Sequence, residues 1–547
     1  MNPRLGMTAS FISATKSSRR YEERTMRVCI LFAISAVLIA TSAFAEGPLA
    51  GNSVTVSAKW DNVLRVSETV PTTQHLANAF TLRSSPLNKP LLKALRNLHT
   101  NDTRLQLWFS VPNQVVAELK EPTATETFWD FKYMDPVVID FFANTSGVHH
   151  INIGTIPRWM FNVPPVDLPS DPGASFYPYT QETKGELLKD PSGKQFAECQ
   201  ARIFQWYTQG GFTDEIGKYH KSGHHFKIDY WGILNEPDFE NKLNVEQYTR
   251  IWDAVAEAIH KIDPNVQFFG PEISGAEISW SRYFLNPKNH SPNAPPVQFF
   301  SLHNYAGSNN NPATWQAKFF TGPTASDGSS SPGTLKDHSA RGFIDQLREV
   351  MKIRDELSPA TKIVIDELGT FDQIKPTDQG GPDDEAYEEY DPLYWVATGA
   401  NWADNFITAE NLGIPLISMT QMIGAPTQSP SCTMVNPKTA HPNAHYWILS
   451  LINRSFGPGD KLVASKSSSL DVVAQASITR SGRKVLLVNT SNRTVPVNLT
   501  DAFQGASLKV EVVDEASGEQ APRKERVTSS RVNLAPFAVA VVTAGGR

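Results

Sequence analysis

Between about residue 60 and residue 455 the chain alternates short apolar runs with amphipathic helical stretches, and no other property narrows its fold so far. The runs are Arg104–Ser110, His149–Thr155, Phe226–Leu234, Val266–Phe269, Val297–Leu302, Lys362–Asp366 and Pro415–Met419, with a weaker eighth near Val63–Val66. Between them, Tyr248, Ile251, Trp252, Val255 and Ile259 recur at the spacing of one helix face, as do Ile344, Leu347, Val350 and Met351. Repeated strand–helix units pack as a parallel sheet with helices outside, and eight such units close into a (β/α)8 barrel.

The 547 residues exceed the requirement of a barrel of about 250 to 400 residues. After about residue 460 the texture changes. Leu470–Ala476, Lys484–Val488, Leu508–Val513 and Phe537–Val542 are short β-type runs divided by Ser, Gly and Asn turns, which predicts an antiparallel β-sandwich. The expected organisation is a leader and export signal over residues 1–45, a barrel over 46–460 and a sandwich over 461–547. Residues 53–57 are a candidate further strand of the sandwich.

Residues 26–45 pair Arg27 with an apolar stretch from Val28 to Ala40, then the small-x-small triplet Ala43-Phe44-Ala45. That order predicts a cleaved signal and a periplasmic or secreted mature protein. The competing reading is a membrane anchor, but Thr41-Ser42 and the cleavage triplet close the run short of the length for spanning. No later segment reaches about 18 apolar residues, so no membrane partner is expected after cleavage. Net charge is −6, and the first 45 residues carry six Lys or Arg against two acidic residues, so the remainder is more acidic still. Such a chain argues against nucleic acid as a partner. Cys199 and Cys432 remain beyond the signal's Cys29, as a disulfide or two buried thiols. Metal-ligand spacings of the CxxC or HExxH kind are absent, and no cofactor is expected.

Three long segments interrupt the alternation: residues 158–195, rich in Pro, Tyr and Ser; 304–338, rich in Gly, Ser and Asn; and 371–391, rich in acidic residues. Each follows a strand, so in a barrel all three gather at the carboxyl-end rim, where active sites lie.

Two carboxylates mark that rim. Trp231-Gly232-Ile233-Leu234-Asn235-Glu236-Pro237-Asp238 closes one apolar run, and Ile365-Asp366-Glu367-Leu368-Gly369 closes another. Polar side chains just past buried strands are costly unless they find partners or work to do. Cleavage of a glycosidic bond requires two carboxyls on either side of it, one as proton donor and one facing the anomeric carbon. The chain resembles clan A of the glycoside hydrolases, whose signature is Asn-Glu after strand four and Glu after strand seven. With Asn-Glu-Pro and the tail sandwich, it resembles family 39, the β-xylosidase and α-L-iduronidase group. The resemblance covers the barrel well and the tail loosely. It implies a carbohydrate substrate, Glu236 as general acid/base, Glu367 as nucleophile, Asn235 on the sugar 2-hydroxyl, and a retaining mechanism.

By the same resemblance His303 and Tyr305, in Ser301-Leu302-His303-Asn304-Tyr305, stand where the clan places a His or Tyr against the carboxylates. Trp159 and Arg158 follow strand three; Trp159 is a candidate sugar platform, with packing as the competing reading. Glu272 ends strand five, either in the cleft or as a structural carboxylate. Asp366 should point away from Glu367 if the strand alternation persists. The chain departs from the clan after strand eight, where Ser418-Met419-Thr420-Gln421-Met422 stands in place of a Trp and Gln421 is the candidate wall residue. Competing expectations are another clan A activity, an endo-glycanase or a glucuronidase, and a non-catalytic carbohydrate-binding barrel. A glucuronidase should offer cations to the substrate carboxylate, and the strand ends supply few besides Arg158. A decayed barrel would have lost one Glu.

Overall fold

The computed structural model describes residues 53–308, 311–322, 339–372, 387–424 and 430–545. The proposed export signal, Cys29 and parts of the second and third rim segments lie outside them. Eight parallel strands close into a barrel. In chain order they are Val70–Leu76, Asp102–Leu107, Val148–Ile153, Tyr230–Ile233, Gln267–Ile273, Phe299–Ser308, Lys362–Asp372 and Leu416–Met419, called here barrel strands one to eight. The first pairs with the eighth, Leu416 opposite Val70, which completes the ring.

Barrel strand one is not at Val63–Val66. Its sequence, Val-Pro-Thr-Thr-Gln-His-Leu, turns buried polar groups into the barrel interior, so it carries no apolar run. Val63–Val66 instead belongs to a long strand, Val54–Val66, that pairs antiparallel with Lys461–Ser467, Val63 opposite Val463. Val63 and Val66 are 44% and 54% exposed, so their apolar character reflects β-propensity and not a buried barrel position.

The helices form as their periodicity requires. Asn244 caps the helix Val245–His260 and forms a reciprocal box with Gln247, satisfying two amides that the first turn leaves open. Its Tyr248, Ile251, Trp252, Val255 and Ile259 are all buried against the barrel. In the helix Ala340–Leu357 the buried stripe is Phe343, Leu347, Val350 and Ile353, with Ile344 and Met351 half-buried at its margin.

The tail strands stack with Val54–Val66 into a sandwich. Alternation divides its strands between two cores. Val485 and Leu487 face the sandwich interior, while Leu486 and Val488 join the barrel's core together with Val513, Phe537, Val539 and Val541. Phe537 meets the rings of Trp315 and Phe320 at 6.1 and 6.0 Å, and Trp447 Nε1 donates to the Glu519 carbonyl at 3.1 Å. Cys199 and Cys432 are separate buried thiols; Cys432 Sγ donates to the Thr370 carbonyl at 3.2 Å.

The first rim segment is ordered by short 3-10 turns at Arg158–Met160, Tyr177–Tyr179 and Gly185–Leu187. Arg158 is buried and its guanidinium donates to the carbonyls of Pro164, Tyr179 and Gln181, which ties the segment to itself. The amides of Phe176 and Gly185 donate to the carbonyls of Ser110 and Asn241, so the segment lies over the ends of barrel strands two and four.

Candidate active site

Barrel strand four ends at Ile233, and the chain then leaves regular geometry. Leu234 and Glu236 take φ values of 65° and 39°, a left-handed region that costs a non-glycine residue about 1–3 kcal/mol. Neighbours hold it there: Asn152 Nδ2 donates to the Leu234 carbonyl at 2.8 Å, and the Glu236 amide to the Glu272 carbonyl at 2.9 Å. Asp238 accepts from the Ser274 amide and hydroxyl, so it pins the turn to the end of barrel strand five. Gly232 is required by crowding, since a Cβ there would stand 2.3 Å from Glu272 Oε1 and 2.7 Å from Asn152 Nδ2.

Glu367 comes from barrel strand seven, which continues to Asp372 beside strand six. The pairing slips between Ile365 and Glu367: Ile365 faces Leu302 and Glu367 faces His303, leaving Asp366 as an extra residue. This β-bulge cancels the alternation that would turn Asp366 outward. Asp366 instead lies inside, 3.7 Å from Arg104 Nε and 3.5 Å from His303 Nε2. Strand five is bulged in the same way at Glu272, which has φ 50°. Three carboxylates therefore meet the barrel axis from two strands that ordinary pleating would split between faces.

His303 joins the two sequence-predicted carboxylates. Its Nδ1 is 2.8 Å from Glu236 Oε1 and 3.5 Å from Glu367 Oε2, and these groups lie within 4.8 Å of one another. Tyr305 donates to Glu367 Oε2 at 2.5 Å, and its hydroxyl oxygen lies 3.2 Å from the Thr420 hydroxyl. Asn235 is buried beside them. On strand eight it is Thr420 that touches Tyr305. Gln421, the expected wall residue, is buried one position on, with its amide bonded to the Cys432 carbonyl at 2.9 Å. The Thr420–Gln421 peptide is cis. Trp159 stands apart: its indole N–H donates to the Glu118 carbonyl at 2.8 Å and its ring packs against the core, so packing is the reading the contacts favour.

The centre of the site was missed by sequence reasoning. Arg104, in the middle of barrel strand two, is buried and reaches Glu367 at 2.5 Å, Asn235 Oδ1 at 2.8 Å, Glu272 and Gln74. Glu272 is thus a buried partner of Arg104 and Asn152. Glu240 and Trp108 complete the surround, with Glu240 Oε1 accepting from Asn235 Nδ2 and Trp108 Nε1. A lone arginine within Arg-Leu-Gln-Leu-Trp-Phe-Ser was the available signal, since a fixed cation in a buried strand needs anions around it.

The two carboxylates are pushed in opposite directions. Burial raises Glu236, reinforced by the charge of Glu367 and opposed by His303. Burial would also raise Glu367, but the charges of His303 and Arg104 and the hydrogen bond from Tyr305 outweigh it and hold it below the usual carboxylate range. For His303, burial would favour the neutral ring, yet the charges of Glu367 and Asp366 keep it well above the usual imidazole range. Burial pushes Glu272 up to about 8, against the pull of Arg104. One carboxyl kept protonated beside another kept ionised is the division that acetal chemistry uses.

The eight-stranded parallel barrel with its tail sandwich is a fold shared with solved glycoside hydrolases. Comparison with known proteins agrees. The GH51 α-L-arabinofuranosidase of Thermotoga petrophila RKU-1 superposes with a TM-score of 0.58 at 13% identity, covering 90% of this chain and 99% of that one. A GH39 β-xylosidase from Caulobacter crescentus superposes with a TM-score of 0.54 at 14% identity, covering 90% and 100%. In sequence, a β-xylosidase of Geobacillus stearothermophilus is 23% identical over 178 residues, 32% of this chain and 31% of that protein, so the match spans less than a third of its length. Residues 470–542 match the family described as D-apionate lactonase, C-terminal immunoglobulin-like domain.

Proposed function

We propose that this protein is an exported retaining glycoside hydrolase that cleaves O-glycosidic bonds of an oligo- or polysaccharide, with Glu236 as acid/base and Glu367 as nucleophile. The observation that carries the reading is the His303-centred pair, with Nδ1 at 2.8 Å from Glu236 Oε1 and 3.5 Å from Glu367 Oε2 and the two carboxyls shifted apart in acidity. One oxygen of each carboxyl within 4.8 Å of the other favours the closer geometry of direct attack over inversion, which spaces its carboxyls about 6.5–9.5 Å apart to admit a water. Glu236 Oε1 accepts from His303, which leaves Oε2 to carry the proton to the leaving oxygen. Glu367, held ionised by Arg104 and Tyr305, attacks the anomeric carbon from the other face. Once Glu367 is esterified its charge is gone, and with it one of the causes that raise Glu236. Glu236 then serves as the base that takes a proton from water.

The structural neighbours named for arabinofuranosidase and xylosidase activity favour pentoside substrates, with a β-xylosidase-like activity as the first to test. The tail's likeness to a D-apionate lactonase domain favours a second reading, hydrolysis of a sugar-acid lactone at the same pair. A screen of aryl β-xyloside, β-glucoside, α-arabinoside and glucuronides beside aldonolactones separates the two. In Glu367→Gly, azide should then restore turnover and yield a glycosyl azide of inverted configuration. In Glu236→Ala, it should relieve a slow second step with retained configuration. Near-normal turnover in both variants would refute the assignment.

A further inference from the structure

Glu240 belongs to none of the steps above, yet it is bonded to the residue beside the acid/base. The amides of Phe239 and Glu240 donate to the Glu236 carbonyl at 2.9 and 2.8 Å, and this turn returns the Glu240 side chain to Asn235. Oε1 accepts from Asn235 Nδ2 at 2.7 Å and from Trp108 Nε1 at 2.5 Å. Oε2 is buried without a hydrogen-bond partner among the described residues. Burial and the Glu236 charge both push this carboxyl well above the usual range. A third carboxyl close to two others, with one oxygen unsatisfied, costs stability. Its geometric consequence is the orientation of an amide.

The two ends of an Asn side chain are nearly isosteric, and only their partners distinguish them. Asn235 lies between a group that can only donate, Arg104 at Oδ1, and a carboxyl oxygen that accepts, Glu240 at Nδ2. Rotating the amide by half a turn would face N–H against guanidinium and carbonyl against carboxyl. The bond to Glu240 uses one of the two Nδ2 hydrogens and leaves the other for a ligand. We propose that Glu240 is a positioning residue that, opposite Arg104, locks the Asn235 amide toward the sugar 2-hydroxyl and so sets the enzyme's demand for that hydroxyl. The inference rests on the glycosidase reading and deepens it, because it specifies which substituent of the sugar is read through this pair.

The test compares the full-length parent, Glu240→Ala, Glu240→Gln and Trp108→Phe on matched aryl glycosides with and without the 2-hydroxyl. Glu240→Ala should lose about tenfold or more in kcat/KM on the hydroxylated substrate and little on the deoxy one, the scale of a hydrogen bond to a charged or buried group. Glu240→Gln should recover most of the loss, because its amide oxygen accepts the same two bonds. Trp108→Phe removes the second donor to Glu240 Oε1 and should shift the same discrimination to a smaller degree. If Glu240→Ala does not fold, Glu240→Asp, one methylene short of Asn235, replaces it. Calorimetric binding of an iminosugar with and without the matching hydroxyl repeats the comparison without turnover. Equal losses on both substrates, or a Gln variant as impaired as Ala, overturn the positioning role and leave the glycosidase reading standing. A parent that neither binds nor cleaves any of these compounds overturns both.

Discussion

At the scale of single residues, the site is a contest for protons arranged around Arg104. The guanidinium touches Glu367, Glu272 and Asn235 at once, so its loss removes charge stabilisation and orientation together. Arg104→Met should lower kcat about 10²–10³-fold, the usual scale for deleting one preorganised electrostatic partner. The pH dependence carries a sign. On the proposed mechanism Glu367 must be ionised; its folded-state pKa lies below the usual range, and activity should be lost as pH falls through it. Removing Arg104 raises that pKa, so the acid limb of kcat/KM should move to higher pH. The alkaline limb, set by loss of the Glu236 proton, should lie above the usual carboxylate range in the parent. A pH–rate profile in which the acid limb of Arg104→Met stays in place would contradict this account. Tyr305→Phe keeps the ring but loses the 2.5 Å bond to Glu367, and should cost roughly 10- to 100-fold in kcat, read from the same pH–rate measurements.

At the scale of elements, two bulged strands and one buried helix matter most. The bulge at Asp366 brings it inward beside Glu367, which strict alternation forbids, and strand five carries a like bulge at Glu272. The helix Pro392–Leu412 begins with Asp391 accepting from the Leu393 amide and ends at Gly413, φ 77°. Near its end Glu410 is buried, and burial pushes its carboxyl from the ordinary 4.5 up to about 8. Because the folded pKa is the higher one, the native state binds the proton more tightly. The stabilising contribution is complete below about pH 4.5 and is lost as pH rises towards 8. Glu410→Gln should therefore stabilise the protein near pH 8 by about 1–3 kcal/mol and flatten the decline of Tm across that window, measured by calorimetry at several pH values. An unchanged Tm–pH curve would count against the burial of this group as the cause.

At the scale of the whole molecule, barrel and sandwich share one core. Leu486, Val488, Val513, Phe537, Val539 and Val541 of the tail are buried in the same cluster as the barrel helices. Phe537→Ala should cost about 3–5 kcal/mol, because rings packed by Trp315 and Phe320 leave a cavity that the surrounding elements cannot close. Deleting the chain beyond residue 460 should lower Tm and solubility, since it exposes that apolar face while taking away none of Glu236, His303 or Glu367. A truncated protein as stable as the parent would instead make the tail an independent module. Export is proposed from the Ala43-Phe44-Ala45 site, and N-terminal sequencing of the exported protein should then begin at Glu46.

The sequence by itself determined the features that are periodic or local. Helix faces such as Tyr248 to Ile259 follow from spacing, and the tail sandwich from short β runs. The two rim carboxylates follow from polar side chains set at the ends of apolar runs. Barrel strand one escaped because its buried residues are polar, and a hydrophobic pattern cannot report a strand whose interior face is Thr and Gln. Asp366 escaped because a bulge depends on the partner strand's register, which no single strand encodes. Arg104, Glu240 and Trp108 escaped for a related reason. Each is unremarkable within its own segment and acquires its chemistry only when closure of the barrel sets strand two against strands four, five and seven. Which carboxyl keeps its proton was given at the sequence only by resemblance, and its physical cause lies in the tertiary structure. Burial and the nearby cations act through distance in space, and only the closed ring supplies those distances.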